Sequence, residues 1–381
     1  MALAAFVALG IPDGVLGVAW PSIRADVGRP VAALGVLLVA QTTGYLLAAA
    51  ANGALVARLG TGRLLVSSAG VALVGFAAFT ASGSWPAFVL ASAAIGAAAG
   101  MVDAGVNAHV AVHHGRRAMG LLHASFGIGA TVGPLLVTGL LGAGLGWRSA
   151  YGLIAVGQAV LLGSFVVTRR AWRAAPGEKD EGAGGRPAPS RPGATAVLTL
   201  ASFFVYTGLE IATGQWAFSL LTEERGVATT AAGLWVAAYW GGLTGGRLVL
   251  AAAAHRVAPS TLLGTAAAGA VVGTAVLWLD LGGTGVLGLP LIGVSLAPVF
   301  PTLVSLTPER LGAARAAHAI GYQLAAAGVG AAALPGAIAL VIGDGGLEAL
   351  GPSLAALAVA LTALLAAAQL AARPARAGSL A

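Results

Sequence analysis

The sequence predicts an all-α polytopic membrane protein, with twelve transmembrane helices in two pseudo-symmetric six-helix bundles. Three observations carry this. Hydrophobic residues make up 58% of the 381-residue chain and charged residues only 9%, where a soluble domain carries about a quarter charged. Charges this sparse cannot cover a water-exposed surface, and the mean hydropathy is +0.91. Apolar runs of about 20 residues, the length that crosses a bilayer core, recur along the whole chain. The 58 glycines suit helices that pack backbone to backbone in lipid. A transmembrane β-barrel needs shorter, alternating segments, and none is present.

The spans are read at 2–21, 32–56, 64–82, 86–111, 119–143, 149–168, 196–219, 229–251, 260–279, 284–306, 316–341 and 350–371. The first begins almost at Met1 with no basic stretch before it, so no cleavable signal peptide is expected. Taken in order, the loops after it alternate in charge. Arg24 and Arg29 follow span 1, Arg58 and Arg63 follow span 2, Arg116 and Arg117 follow span 4, and Arg148 follows span 5. After span 6 comes a solvated stretch, 169–195, with Arg169, Arg170, Arg173, Lys179, Arg186 and Arg191 in a Gly/Pro/Ser-rich setting that reads as a flexible linker. Arg225 follows span 7 and Arg256 follows span 8. In span 10, Pro298 and Pro301 predict a kink or hinge. Arg310 and Arg315 precede span 11, and Arg373 and Arg376 follow span 12.

The positive-inside rule orients the chain. With both termini inside, 15 Lys and Arg fall on the cytoplasmic side and 4 outside, Arg247 lying within span 8. The expected organisation is an N-terminal six-helix bundle (1–168), a cytoplasmic linker (169–195), and a C-terminal six-helix bundle with a short tail (196–381). The basic isoelectric point thus reflects membrane orientation rather than nucleic-acid binding. The absence of cysteine excludes disulfides, thiolate metal sites and Cys nucleophiles. No metal spacing, phosphate loop or catalytic triad points to an enzyme or a cofactor.

The two halves repeat. Sliding the chain by 198 residues brings Gly10 onto Gly208, Gly28 onto Gly226, Gly35 onto Gly233, Gly44 onto Gly242 and Arg58 onto Arg256. Asp13 and Glu210 fall one residue apart in that register, and Trp20 and Trp216 two apart. Parallel repeats of this kind place a substrate site near the midplane, between the halves.

Twelve spans, a long middle loop, a 6+6 repeat and the basic loop Gly53, Arg58, Gly60, Gly62, Arg63 resemble the major facilitator superfamily, with Ala57 where that family's loop carries an acid. A narrower resemblance is to the fucose-permease-like branch. It rests on GMVDAGVNAHV (100–110), LLHASFGIGATVGPLL (121–136) and YTGLEIATGQW (206–216). The resemblance implies proton-coupled symport of a sugar-like or other polar solute, with Asp103 and Asn107 at the fourth-span positions and Asp13 one turn from the first-span acid. The alternative is a proton-driven exporter, since Gly127, Gly129, Gly133 and Pro134 also resemble an antiporter signature.

Asp13, Asp103 and Glu210 are the carboxylates within spans, on spans 1, 4 and 7. A charge at the bilayer centre costs at least about 2.5–3.5 kcal/mol, so such a group faces a cavity or pairs with a buried base. All three are candidates for proton coupling, and neighbouring Pro12 and Gly14 predict a local helix break at Asp13. Asn107, Tyr206, Gln215, Trp216 and Tyr239 are candidate substrate contacts, although Trp216, like Trp20, Trp85 and Trp147, also suits an interfacial anchor. His123 could face Asp103 or simply pack. Arg247 reads as a structural base, paired with a carboxylate or with helix C-terminal carbonyls, and Arg58, Arg63, Pro298 and Pro301 as gating or structural positions. The expected partners are a small-molecule substrate, protons and the lipid bilayer, for a monomer in a bacterial cytoplasmic membrane.

Overall fold

In a computed structural model, residues 1–172, 193–253, 257–311 and 313–372 are described. Six helices precede the linker: α1 (Ala2–Asp26), α2 (Leu34–Leu59), α3 (Thr61–Ala81), α4 (Trp85–His113), α5 (Gly115–Gly142) and α6 (Trp147–Thr168). After it come α7 (Ala194–Ser219), α8 (Thr229–Ala253), α9 (Pro259–Leu279), α10 (Gly288–Leu296), α11 (Val299–Ser305), α12 (Thr307–Leu311), α13 (Ala313–Gly345) and α14 (Leu350–Ala371). Among the described residues, 11 segments are long and apolar enough to cross a membrane. Of the helices outside these segments, α8 has 25 residues but carries Arg247 amid Gly, Tyr and Trp, and α12 has only 5. Most of the linker, 173–192, lies outside the described residues, as do Arg256 and the tail from Arg373.

The α10–α11 pair forms one span, Leu281–Ser305. Its helix is interrupted at Ala297 and Pro298, where proline lacks the N–H that the helix needs. By contrast, α1 runs unbroken through Pro12 and Pro21, which corrects the expected break at Asp13. Gly10 and Gly14 lie directly on the α5 backbone at Phe126 and Ala130, and this close packing supports the helix where proline removes a hydrogen bond.

The repeat is visible in the packing. In the first half α1 packs on α5, α2 on α4, and α3 on α4 and α6. In the second, α7 packs on α13, α8 on α10, and α9 on α10 and α14. Glycines aligned by the 198-residue shift do the same work in each half. Gly44 meets the α4 backbone at Ala93, and Gly242 meets the α10 backbone at Pro290. Gly28 and Gly226 both end a loop turn with positive φ, +60° and +63°, which side chains with a Cβ rarely adopt. The halves touch through α1 on α7, α2 on α13 and α5 on α8. Here too the repeat holds, with Gly35 against Gly336 and Ala339 of α13 and Gly233 against Thr138 of α5.

Reciprocal glycines make the α2–α4 seam the tightest test of this packing. A Cβ on Gly96 would run into the Gln41 carbonyl, and one on Gly44 into that of Ala93. Gly96→Val is therefore expected to destabilise the protein by about 1–3 kcal/mol, the usual scale of overpacking, read as a lower melting temperature in detergent. Gly70→Ala, whose Cβ meets nothing within 4 Å, serves as the neutral control.

Candidate functional site

A cavity of about 1550 Å³ lies between the halves. Its wall runs from Asp13 and Gln215 at mid-depth to the linker-side helix ends, at Ala5, Met119, Leu250 and Pro259. Most of the lining is apolar, with Phe6, Phe76, Phe126 and Phe300 among its rings. The in-span polar residues gather on it. Asp13, Asp103, Glu210, Asn107, Tyr206, Gln215, His123, Arg247 and Pro301 all line the wall.

On the first half, α4 presents Asp103 and Asn107 one turn apart, the spacing that shares a helix face. Asn107 Nδ2 donates to Asp103 Oδ1 at 2.8 Å. Tyr45 Oη, from α2, donates to Asp103 Oδ2 at 2.6 Å. The carboxylate is thus held by two neutral donors. Asp13 sits on α1, and among the described residues its carboxylate receives no protein hydrogen bond. His123 lies edge-on to Phe6, ring centres 5.9 Å apart.

On the second half the arrangement is ionic. Arg247 Nη2, from α8, lies 3.2 Å from Glu210 of α7 and donates to Tyr206 Oη at 3.0 Å. Glu210 is 6% exposed, so the pair sits in a low-dielectric setting where removing one partner leaves a costly charge. The two substrate candidates Trp216 and Tyr239 do not reach the cavity. Both are fully buried, with Trp216 Nε1 donating to the Pro335 carbonyl at 3.3 Å and Tyr239 Oη to the Glu210 carbonyl at 2.7 Å. Interfacial anchoring fails for Trp216 and Trp20 for the same reason, since each is 0% exposed. Pro298 marks the break in the tenth span. Arg58 and Arg63 are exposed beside the tight Gly60 turn, and among the described residues neither forms an ion pair. No group of three His, Asp or Glu among the described residues could hold a metal ion.

The Major Facilitator Superfamily profile matches residues 2–335. This chain belongs to that superfamily. No curated protein matches it by sequence. Among solved structures, it is similar to the peptide transporter POT at TM-score 0.74 and 14% identity, covering 97% of this chain and 94% of that one. A variant of the nucleoside transporter NupG gives TM-score 0.78 and 14% identity, with 96% and 98% covered. The human organic anion transporter MFSD10 gives 0.61 and 18%, with 96% and 99% covered.

The side of the molecule away from the linker is closed, as one state of a superfamily transporter. Arg24 at the end of α1 pairs with Glu223 after α7, bridging the halves. Deeper, Gln215 Nε2 of α7 donates to the Asp13 backbone carbonyl of α1 at 2.8 Å. The other basic residues on this face are also engaged. Arg148 pairs with Asp26, Arg225 with Glu348 at 2.7 Å, and Arg29 covers the Trp85 ring at 5.2 Å. Sequence reading missed Tyr45 and Arg24–Glu223. Tyr45 had a signal, being a tyrosine in mid-span rather than at the headgroup level where tyrosines collect.

An exposed ion pair is worth about 0.2–1 kcal/mol, so breaking Arg24–Glu223 is expected to shift a two-state population by roughly 1.4- to fivefold. The Cys-free chain takes spin labels at Ala25→Cys and Ala228→Cys. Arg24→Ala should raise the population with the longer label separation, and the charge swap Arg24→Glu with Glu223→Arg should restore the original distribution.

Proposed function

We propose that the chain is a secondary active transporter that moves a small organic solute by alternating access and couples that movement to protons. One observation carries the reading: three ionisable in-span carboxylates share the wall of a cavity open towards the linker and latched on the opposite face. Buried carboxyl groups that meet one side and then the other can load and unload a proton. Asp103 is the best single candidate for coupling. Tyr45 and Asn107 donate to it, and a rearrangement of α2 against α4 on rocking would change its affinity for a proton, as gradient-driven transport requires. Asp13 and Glu210 are further proton-coupling positions, with Arg247 paired to Glu210. Asn107, Gln215 and Tyr206 contact solute, and Pro298 and Pro301 supply a hinge in the tenth span.

The fucose-permease-like likeness in 100–110 and 121–136 supports symport of a polar solute. The largely apolar wall, with its phenylalanines, favours a second reading, proton-driven export of amphipathic compounds. In either, the basic loop asymmetry supports a bacterial inner-membrane protein with both termini and the linker in the cytoplasm, organised as bundles 1–168 and 196–381.

Two experiments test this. After a solute-panel uptake assay in proteoliposomes with an imposed pH gradient identifies a transported compound, Asp103→Asn should reduce pH-driven accumulation at least tenfold. Solute exchange at equal pH should remain measurable. Full accumulation by this variant would transfer the coupling role to Asp13 or Glu210. For orientation, Gly184→Cys should resist membrane-impermeant thiol labelling from outside intact cells and react after lysis.

A further inference from the structure

We infer that the cavity takes its solute as a protonated primary or secondary amine bearing an apolar, preferably aromatic, group. This rests on the transporter reading above and narrows its substrate class. The first argument is charge. Arg247 is matched by Glu210 and hydrogen-bonded to Tyr206, which leaves Asp13 and Asp103 without a guanidinium or ammonium of the protein. Asp103 is held by neutral donors only. His123, in the wall on α5, answers one of these charges at most. Ionised carboxylates in a low-dielectric site need a positive partner, and a proton or a cationic ligand supplies it.

The second argument is hydrogen bonding, and it is independent of the charge count. Gln215 is 2% exposed and lines the cavity. Its amide nitrogen donates to a backbone carbonyl, that of Asp13. A carbonyl only accepts, so this contact fixes which end of the amide is oxygen. Gln215 Oε1 is then a buried acceptor with no donor. Asn107 repeats the pattern: its nitrogen donates to the Asp103 carboxylate and its Oδ1 is buried without a donor. Buried polar atoms are nearly always paired, and an orphan calls for an explanation. An unpaired amide oxygen thus accompanies the Asp103 carboxylate, through Asn107, and a second one the backbone of Asp13, through Gln215. The unfilled positions lack both positive charge and N–H donors, and an alkylammonium group supplies both. A carboxylate or phosphate ligand would meet like charge and few free donors.

The third argument is the rest of the wall. Its size exceeds the roughly 300–1,000 Å³ of a typical ligand pocket. Its phenylalanine rings offer an apolar seat and attract a cation placed over their faces.

The test is equilibrium binding to the purified full chain in nanodiscs, at one fixed pH. The probes are 2-phenylethylamine, its neutral counterpart 2-phenylethanol, phenylacetate, and the N,N,N-trimethyl derivative of the amine. The amine should bind at least about tenfold tighter than the alcohol or the carboxylate, on the scale of a charged hydrogen bond. It should also bind tighter than the trimethylated cation, which keeps the charge and loses the N–H donors. Asp13→Asn should remove the preference for amine over alcohol. Gln215→Leu should weaken the amine while leaving the trimethylated cation unchanged. Equal or tighter binding of the alcohol or carboxylate, or no saturable amine binding, overturns the proposal on the wild-type chain alone, whatever the variants' stability. Gradient-driven accumulation of a neutral or anionic solute by a chain that ignores amines removes this inference and leaves the transporter reading. Tight amine binding without transport of any solute does the reverse.

Discussion

Two helices in hydrocarbon gain nothing by hiding apolar side chains from a solvent that is itself apolar, so what holds them is close packing. In this chain glycine provides it. Gly10, Gly129 and Gly133 lock α1 to α5 backbone to backbone, Gly44, Gly96 and Gly100 do so for α2 and α4, and Gly330 lays α13 on α7 at Phe204. The seams within each half are therefore closely packed. Those between the halves run mainly along α1 on α7, α2 on α13 and α5 on α8, with the cavity between the halves. A rigid bundle on each side of a narrower, partly polar seam is the arrangement in which rocking costs least.

The charges follow from the same setting. Few ionisable groups enter the spans, and those that do have either a partner or the cavity. Glu210 and Arg247 neutralise one another on the second half, whereas Asp103 relies on a tyrosine and an asparagine on the first. This asymmetry breaks the repeat where chemistry needs it. The sequence register aligns Asp13 with Glu210 to within one residue, yet one is ion-paired and the other is not.

Much of this was readable beforehand, and the reasons differ by residue. The spans were legible because crossing a bilayer demands a run of fixed length, and their observed ends differ from the reading mostly by a few residues at polar termini such as Asp26 and Gly115. The glycine repeat was legible because identical packing duties select identical residues. Asp103 and Asn107 were legible as a pair because four residues make one helical turn. Tyr45 was not, since its partner lies 58 residues away and tertiary pairing leaves no local periodicity. Trp216 and Tyr239 misled for a related reason. An aromatic residue with a polar tip suits a ligand, an interface or a buried carbonyl equally, and only the packing of α7 against α8 and α13 decides. Pro12 misled because its cost is local while the glycine contacts that offset it come from another helix.

The latch between Arg24 and Glu223 bridges the halves at the water-facing end of their seam. Its side chains are 29% and 21% exposed, so dissolved ions reach them, and at physiological ionic strength the screening length is about 8 Å. The medium outside the membrane therefore acts directly on the closed state. Dilute surroundings tighten the closure and brine loosens it. Salinity thus bears on how firmly this face stays shut, within the roughly 0.2–1 kcal/mol of an exposed pair.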